Sequence, residues 1–230
     1  NILKKTNDAW KFIFKSSNLG YREATKFIEN NTNYFRFDKS SAPVALLIGR
    51  FATGKTTFIY SMVNEYNNKD TMPTIGVNDY DVFHLENNQS FVFRIRDSMD
   101  MDRFGPFLPL SCRDVSVCII MYDVTNRNSF DVIDDYYLQL TNYCDNPKFI
   151  LIGNKIDLQP ASVTVDEGRQ KALDLNASFI EVSSKRFTNI AEARSLIAKL
   201  SNNTNINPMY AEGIEVVKTY EKPRESRCIF

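Results

Sequence analysis

Residues 49–56 read Gly49-Arg50-Phe51-Ala52-Thr53-Gly54-Lys55-Thr56, which fits the phosphate-loop pattern G-x-x-x-x-G-K-[ST]. The apolar run over 44–48 before them suits a buried parallel strand, and residues 55–65 have the pattern of a helix. Glycines in such a loop let backbone N–H groups turn toward phosphate oxygens at the helix N-terminus, where the helix dipole also favours anions. The stretch therefore predicts a strand, a phosphate-binding loop and a helix.

The side chains at the end of this loop are suited to phosphate and magnesium. Lys55 adds a positive charge near the β- and γ-phosphates of a bound nucleotide, and the hydroxyl of Thr56 can bind Mg²⁺. The alternative is an ordinary strand-turn-helix with chance glycines. The Lys-Thr pair between these flanking elements disfavours that alternative.

A second motif indicates which base is bound. Asn154-Lys155-Ile156-Asp157 follows the apolar run 149–153. The carboxylate of Asp157 can accept two hydrogen bonds from the N1–H and the exocyclic amine of guanine, a pattern that adenine lacks. Asn154 can tie this loop to the phosphate loop, and the aliphatic stem of Lys155 can lie over the base.

A third motif, Ser183-Ser184-Lys185, follows the apolar strand 179–182 and can offer a backbone donor to the guanine O6 and a second stacking stem. Either base motif alone could be a solvated loop with capping residues. The three motifs in this order and spacing indicate a site for GDP or GTP. The residues predicted to bind the nucleotide are Gly49, Ala52, Thr53, Gly54, Lys55, Thr56, Thr57, Asn154, Lys155, Asp157, Ser183, Ser184 and Lys185.

Further segments extend the pattern. Thr74-Ile75-Gly76-Val77 is similar to the first switch of Rab proteins, and Tyr122-Asp123-Val124-Thr125 with Asn128-Ser129-Phe130 resembles the Rab segment after the fourth strand. Together with the nucleotide motifs, these segments resemble a Ras-superfamily small GTPase of the Rab branch. The resemblance covers residues 43–202, about two-thirds of the chain. The resemblance implies a P-loop NTPase α/β fold, with a six-stranded, mostly parallel sheet and helices on both faces. The Mg²⁺ ligands that it implies are Thr56, Thr74 and Asp97.

The segment after Asp97 departs from the family. Thr-Ala-Gly-Gln would follow there, but the chain has Ser98-Met99-Asp100-Met101. The family's glycine amide donates to the γ-phosphate and its glutamine orients the attacking water. Met101 has no donor or acceptor of that kind, and the carboxylate of Asp100 should repel the γ-phosphate. The resemblance therefore implies that no catalytic residue is intact.

Phe51 is a second departure, because Rab proteins have a small residue beside the γ-phosphate. Its ring would occupy space needed by the water, the glutamine or an incoming arginine finger. Loss of water orientation and of an arginine finger lowers the rate of GTP hydrolysis by a factor of roughly 10³–10⁵. The alternative is that the ring packs outward on a distorted loop. Asn67 replaces the aromatic residue that usually flanks guanine. We expect very slow or absent hydrolysis and lowered nucleotide affinity.

Partner recognition is expected to be atypical as well. The family's exchange factors and effectors are implied partners, but effectors commonly read an aromatic triad whose positions here are Asp79, Arg96 and Ser111. The second switch, residues 104–110, is apolar and contains two prolines. It is either a binding surface or a segment whose apolar side chains fold back onto the core.

Composition excludes some functions. The 28 basic and 28 acidic residues balance, so neither nucleic acid nor an anionic membrane is an implied partner. The four cysteines lack metal-binding spacing and are interpreted as reduced cytosolic thiols. The C-terminus, Arg227-Cys228-Ile229-Phe230, is one residue short of a prenylation signal. We expect a cytoplasmic protein, with peripheral attachment to endomembranes left open.

The order of elements predicts a doubly wound sheet. Strands are expected near 44–48, 80–85, 90–96, 115–122, 149–152 and 178–182, and helices near 55–66, 129–143, 165–175 and 189–200. A hairpin turn is expected at 86–89. In such sheets ligands bind at the carboxyl ends of the strands, where all three nucleotide motifs are predicted to lie.

The chain divides into an N-terminal extension (1–42), a GTPase domain (43–202) and a C-terminal tail (203–230). Residues 12–17 and 23–28 repeat the patterns of 179–184 and 192–197, which suggests that residues 1–30 are the last strand, base loop and helix of a preceding GTPase domain. An amphipathic helical extension is the alternative.

Two classes of function remain open. The first is a slow Rab-like GTPase of vesicle traffic, and the second is a pseudo-GTPase that acts as a binding or regulatory module without nucleotide turnover.

Overall fold

The computed structural model describes residues 42–62, 78–86, 89–98 and 108–202. The predicted switch residues Thr74, Asp100 and Met101, the extension up to residue 41 and the tail from residue 203 lie outside this part. The described strands are β1 (Val44–Gly49), β2 (Asn78–Glu86), β3 (Gln89–Asp97), β4 (Val115–Asp123), β5 (Lys148–Asn154) and β6 (Ser178–Val182). The described helices are α1 (Lys55–Met62), α2 (Leu108–Ser111), α3 (Arg127–Asp131), α4 (Ile133–Tyr143), α5 (Val165–Asp174) and α6 (Ile190–Ser201).

The six strands form one sheet in the order β2-β3-β1-β4-β5-β6. All neighbouring strands are parallel except β2 and β3, which form an antiparallel hairpin. Glu86 pairs with Gln89 at the closed end of this hairpin, where the turn was predicted. The predicted Ras-like α/β fold is confirmed.

The sheet is buried on both faces because its central strands consist of continuous apolar runs. Every residue of β1 is buried. Ala45 and Leu47 belong to the core cluster shared with α1 and α6, and Leu46 and Ile48 belong to the cluster shared with α4. This two-sided packing fixes the ends of the strands, which position the loops of the candidate site.

One helix prediction needs correction. The helix expected over 129–143 is two helices, α3 and α4, which meet at Val132. The backbone of Val132 has φ −90° and ψ 2°, outside the helical region, and Asn126 caps the start of α3 by accepting from the Asn128 N–H. No glycine or proline marks this break, so the sequence pattern did not reveal it.

The thiols of Cys112, Cys118 and Cys144 are buried together beneath α4. The sulfur atoms of Cys118 and Cys144 lie 3.7 Å apart. A hydrogen bond with Cys144, together with burial, raises the pKa of the Cys112 thiol. Buried thiols pack as small apolar side chains, in line with a structural role.

Candidate functional site

The three sequence motifs meet at one edge of the sheet. The phosphate loop follows β1, the Asn154–Asp157 motif follows β5 and the serine motif follows β6. These strands are parallel, so their carboxyl ends point the same way, and ligands of such sheets bind at that edge.

The phosphate loop has the backbone of an anion-binding turn. Ala52 and Gly54 have positive φ values of 62° and 94°. The second position requires glycine, because a Cβ on Gly54 would lie 2.5 Å from the side-chain nitrogen of Asn154. The hydroxyl of Thr53 donates to the carbonyl of Arg50 at 2.9 Å and closes the turn. Thr57 lies in the first turn of α1, at the mouth of the loop.

Lys55 is held at the centre of this loop. Its Nζ donates to the carbonyls of Gly49 and Arg50 at 2.8 and 3.1 Å, and the side chain is largely buried. The ammonium group is therefore already placed inside the turn whose N–H groups would face a phosphate. This arrangement fits a phosphate ligand.

Thr56 and Asp97 bring two oxygen ligands together. The Thr56 hydroxyl donates to Oδ2 of Asp97 at 2.8 Å, and Asp97 is fully buried at the end of β3. Ser98, the next residue, is fixed by its hydroxyl to the carbonyl of Leu47 at 2.8 Å. Carboxylate and hydroxyl oxygens are the ligands that Mg²⁺ prefers, so the donor set fits this ion.

Asn154 joins all three loops through one buried amide group. Its Nδ2 donates to the carbonyl of Thr53 at 2.9 Å. Its Oδ1 accepts from the backbone N–H of Ser184 at 3.1 Å and from the Ser184 hydroxyl at 2.9 Å. The predicted tie between the base loop and the phosphate loop is present, and it extends to the serine loop.

Asp157 is oriented by the serine loop. The Ser183 hydroxyl donates to Oδ1 of Asp157 at 2.6 Å and accepts from the N–H of Arg186 at 2.9 Å. Ser183 and Thr188 also exchange two backbone hydrogen bonds, which close this loop into a tight turn. The carboxylate predicted to read guanine is thus held in a defined orientation.

The sequence did not reveal the partner of Lys155. Its Nζ lies 2.7 Å from Oδ2 of the largely buried Asp123, at the end of β4. Oδ1 of Asp123 accepts from the backbone N–H and the hydroxyl of Thr125. Asp123 could have been identified from the sequence, because its carboxylate lies at the end of a buried strand, at the sheet edge where the other motifs lie. Lys185, the other predicted stacking residue, is exposed.

Phe51 lies at the surface of the phosphate loop. Its exposed fraction is 57%, so the ring is not withdrawn into the core. The neighbouring Arg50 donates from Nη1 to the carbonyl of Asn128 at 3.3 Å.

In the part of the chain that the structure describes, no helix has both the length and the apolar character needed to span a bilayer.

Comparison with known proteins identifies a family over the same part of the chain. A family model described as the Ras family matches residues 45–203. Ras-related protein Rab-3A of Homo sapiens and that of Macaca fascicularis are each 31% identical to this chain over 150 residues, which cover 64% of this chain and 68% of the relative. Ras-related protein Rab-3D of Mus musculus is 30% identical over 150 residues, with the same coverage.

Proposed function

The chain belongs to the Ras family as a divergent member of its Rab branch, and from this premise we propose that it binds GDP or GTP with Mg²⁺ and hydrolyses GTP very slowly or not at all. The family is one of GTP-binding proteins. The assignment of particular residues and the defect in hydrolysis are the substance of the proposal.

The observation that carries nucleotide binding is the set of bonds made by Asn154. One buried amide connects Thr53 of the phosphate loop with Ser184 of the serine loop. Loops joined in this way are arranged for binding before any ligand arrives, which reduces the ordering cost of binding.

The roles of the residues follow from their positions. The phosphate loop and Lys55 would hold the phosphates, while Asp157, Ser184 and Lys155 would recognise guanine. Thr56 and Asp97, with Thr74 from the first switch, would hold Mg²⁺. The ion, when bound, neutralises charge that develops on the phosphates.

The proposed defect in hydrolysis has two sources. The first is chemical, because Asp100 and Met101 replace the glycine and glutamine that act on the γ-phosphate and the water. The second is steric, because the chain has Phe51 at the position beside the γ-phosphate where the resemblance implies a small residue. Fast hydrolysis of GTP should therefore require substitutions that remove both the chemical and the steric defect.

A single-turnover assay tests this proposal. The purified protein is first denatured and the released nucleotide is identified by chromatography; bound GTP would point directly to failed hydrolysis. The rate of GTP cleavage is then compared for the unchanged chain, the pair Asp100→Gly with Met101→Gln, and the same pair with Phe51→Ala. Leu138→Ala, a change at an exposed apolar residue of α4, is the control.

We expect the rate to rise with the pair and again with Phe51→Ala. Unchanged protein that cleaves GTP as fast as ordinary Rab proteins would overturn the proposed defect.

The cellular role that the resemblance supports is vesicle trafficking. The protein would act in the cytoplasm or at the surface of endomembranes, with exchange factors and effectors as partners. Because the second switch departs from the family pattern, we propose that these partners are atypical. Residues 43–202 would form the GTPase domain and residues 1–42 an N-terminal extension, with residues 1–30 either the end of a preceding GTPase domain or an amphipathic helical segment.

A pseudo-GTPase is the second candidate, and it rests on the departures from the family sequence at Phe51, Asn67 and Asp100. A ring beside the γ-phosphate position, Asn67 in place of an aromatic residue beside the base, and Asp100 near the phosphates would all weaken binding. No released nucleotide and no titratable GDP binding would establish this candidate in place of the first.

A further inference from the structure

The positions where Rab proteins present an aromatic triad are joined here by one guanidinium group. Arg96 of β3 lies directly opposite Asp79 of β2 in the hairpin. Its Nε donates to Oδ1 of Asp79 at 2.9 Å, and its Nη2 donates to Oδ2 at 3.2 Å. Its Nη1 donates to the carbonyls of Ser111 and Arg113 at 2.9 and 3.1 Å. Four of the five N–H groups of Arg96 are thereby used.

These bonds connect the segments that flank both predicted switches. Asp79 is the second residue of β2 and follows the first switch closely, because that motif ends at Val77. Ser111 is the last residue of α2, at the end of the second switch, and Arg113 leads into β4. We call Arg96, Asp79 and the carbonyls of Ser111 and Arg113 the arginine clamp.

The arginine clamp is partly shielded from water. The side chain of Arg96 is 15% exposed and that of Asp79 is 34% exposed. A bidentate guanidinium–carboxylate pair in such a place is stronger and more directional than a freely exposed ion pair. The next pair along the hairpin, Arg94 and Asp81, lies opposite in the same way, with Nε to Oδ1 at 3.0 Å.

The clamp and the magnesium ligand occupy opposite faces of β3. Side chains alternate along a strand, so Asp97 faces Thr56 while Arg96 faces α2. The chain is fastened at Ser98 to β1 and again at Ser111 by Arg96. The four hydrogen bonds of the clamp join protein groups of β2, β3, the end of α2 and the α2–β4 connection.

We infer that Arg96 is a positioning residue that holds the ends of the two switches together in both the GDP and the GTP state. The face formed by Asp79, Arg96 and Ser111 is therefore polar and prearranged, and it responds little to the nucleotide. Of the proposed function, this inference requires nucleotide binding but not the defect in hydrolysis.

Hydrogen exchange of the full chain, read by mass spectrometry, tests the inference. Samples carry GDP or a non-hydrolysable GTP analogue, and the peptides of interest cover 78–82 and 108–115. In the unchanged protein, exchange in both peptides should agree within about twofold between the two nucleotides. In Arg96→Gln it should rise about tenfold or more at 108–115 and become dependent on the nucleotide, since bonds from a charged donor to the carbonyls are lost.

Arg94→Gln is the matched control, because it removes the neighbouring cross-strand pair. It should raise exchange in the hairpin and leave 108–115 unchanged. If Arg96→Gln fails to fold, Asp79→Asn removes the charge of the carboxylate, and it should make exchange at 78–82 dependent on the nucleotide.

Two results would overturn the inference: nucleotide-dependent exchange at these peptides in the unchanged protein, or unaltered exchange at 108–115 in Arg96→Gln. Failure of the proposed function is seen separately, as absence of GDP binding in a titration of the same sample. In that case the contrast between Arg96→Gln and Arg94→Gln still decides whether the clamp exists.

Discussion

Asn154 lies where three loops of the nucleotide site meet, and its amide is bonded on both sides while fully buried. In Asn154→Ala the carbonyl of Thr53 and the N–H of Ser184 lose this partner, and each buried polar group left unpaired costs about 1–3 kcal/mol. We expect GDP to bind at least about tenfold more weakly, since about 1.4 kcal/mol corresponds to tenfold. Titration with fluorescently labelled GDP measures the change.

The control for this variant is Asn142→Ala, at an exposed position of α4. It removes the same side chain and should leave GDP affinity unchanged. Equal affinities for Asn154→Ala and the unchanged protein would show that the loops hold their arrangement without this amide.

At the scale of single residues, motifs and structure differ in what they reveal. The positions of Gly54, Lys55, Asn154 and Asp157 at one edge of the sheet could be predicted, because the motifs that contain them follow parallel strands. The partners of Arg96 could not be predicted, because the carbonyls of Ser111 and Arg113 are backbone groups that any sequence would supply.

At the scale of elements, the strands were predictable and one helix boundary was not. Strands β1, β4 and β5 are buried on both faces, so their sequences are long apolar runs that are easily recognised. Helices α3 and α4 both pack against β4, a tertiary contact that the local sequence around Val132 does not indicate. Thr164 and Glu167 form a capping box that the sequence pattern T-x-x-E could have revealed.

Helix α5 packs on the sheet through a glycine. A Cβ on Gly168 would lie 2.4 Å from the hydroxyl oxygen of Tyr122 and 2.7 Å from the ring of Phe179. Alanine is the better helix former by about 1 kcal/mol, but overpacking of a close-packed core costs about 1–3 kcal/mol. We therefore expect Gly168→Ala to lower the free energy of unfolding, as measured by urea denaturation.

Tyr122→Phe is the companion variant for this contact. The buried Tyr122 hydroxyl has no hydrogen-bond partner among the residues that the structure describes, so its removal should be neutral or stabilising. In the double variant, the cost of Gly168→Ala should be smaller than in the single variant. If Gly168→Ala stabilises the protein, helix propensity outweighs the close contact.

The start of α5 predicts how stability depends on pH. The backbone N–H of Thr164, followed by the guanidinium of Arg127, lowers the pKa of Glu167 from the usual 4.5 to about 2. A carboxylate whose pKa is lower in the folded state than in the unfolded state stabilises the fold at pH values above its unfolded-state pKa. This stabilisation is lost as the pH falls through its folded-state pKa. The advantage in unfolding free energy over Glu167→Gln should be full above about pH 4.5 and vanish near pH 2. An advantage that stays constant over this range, in urea melts at each pH, would contradict the assignment.

At the scale of the whole molecule, the nucleotide site connects distant parts of the chain. The phosphate loop begins at Gly49 and the serine loop ends beyond Ser184, and the two core clusters lie between them on either face of the sheet. A ligand that touches both loops binds only the folded chain. Nucleotide binding should therefore raise the stability of the whole folded domain.

Thermal unfolding with added nucleotide measures this coupling. A ligand present at 100 times its dissociation constant stabilises the folded state by about 2.7 kcal/mol, which raises the melting temperature of a chain of this size by about 5–10 °C. We expect this shift with GDP and Mg²⁺, a smaller shift when Mg²⁺ is chelated, and none with ATP, because adenine lacks the donors that Asp157 would accept. Asp157→Ala should reduce the GDP shift relative to its own melting temperature without nucleotide, which it should also lower, because the buried Ser183 hydroxyl loses its acceptor. If no guanine nucleotide raises the melting temperature even at millimolar concentration, the joined loops serve the fold alone and the pseudo-GTPase candidate replaces the first.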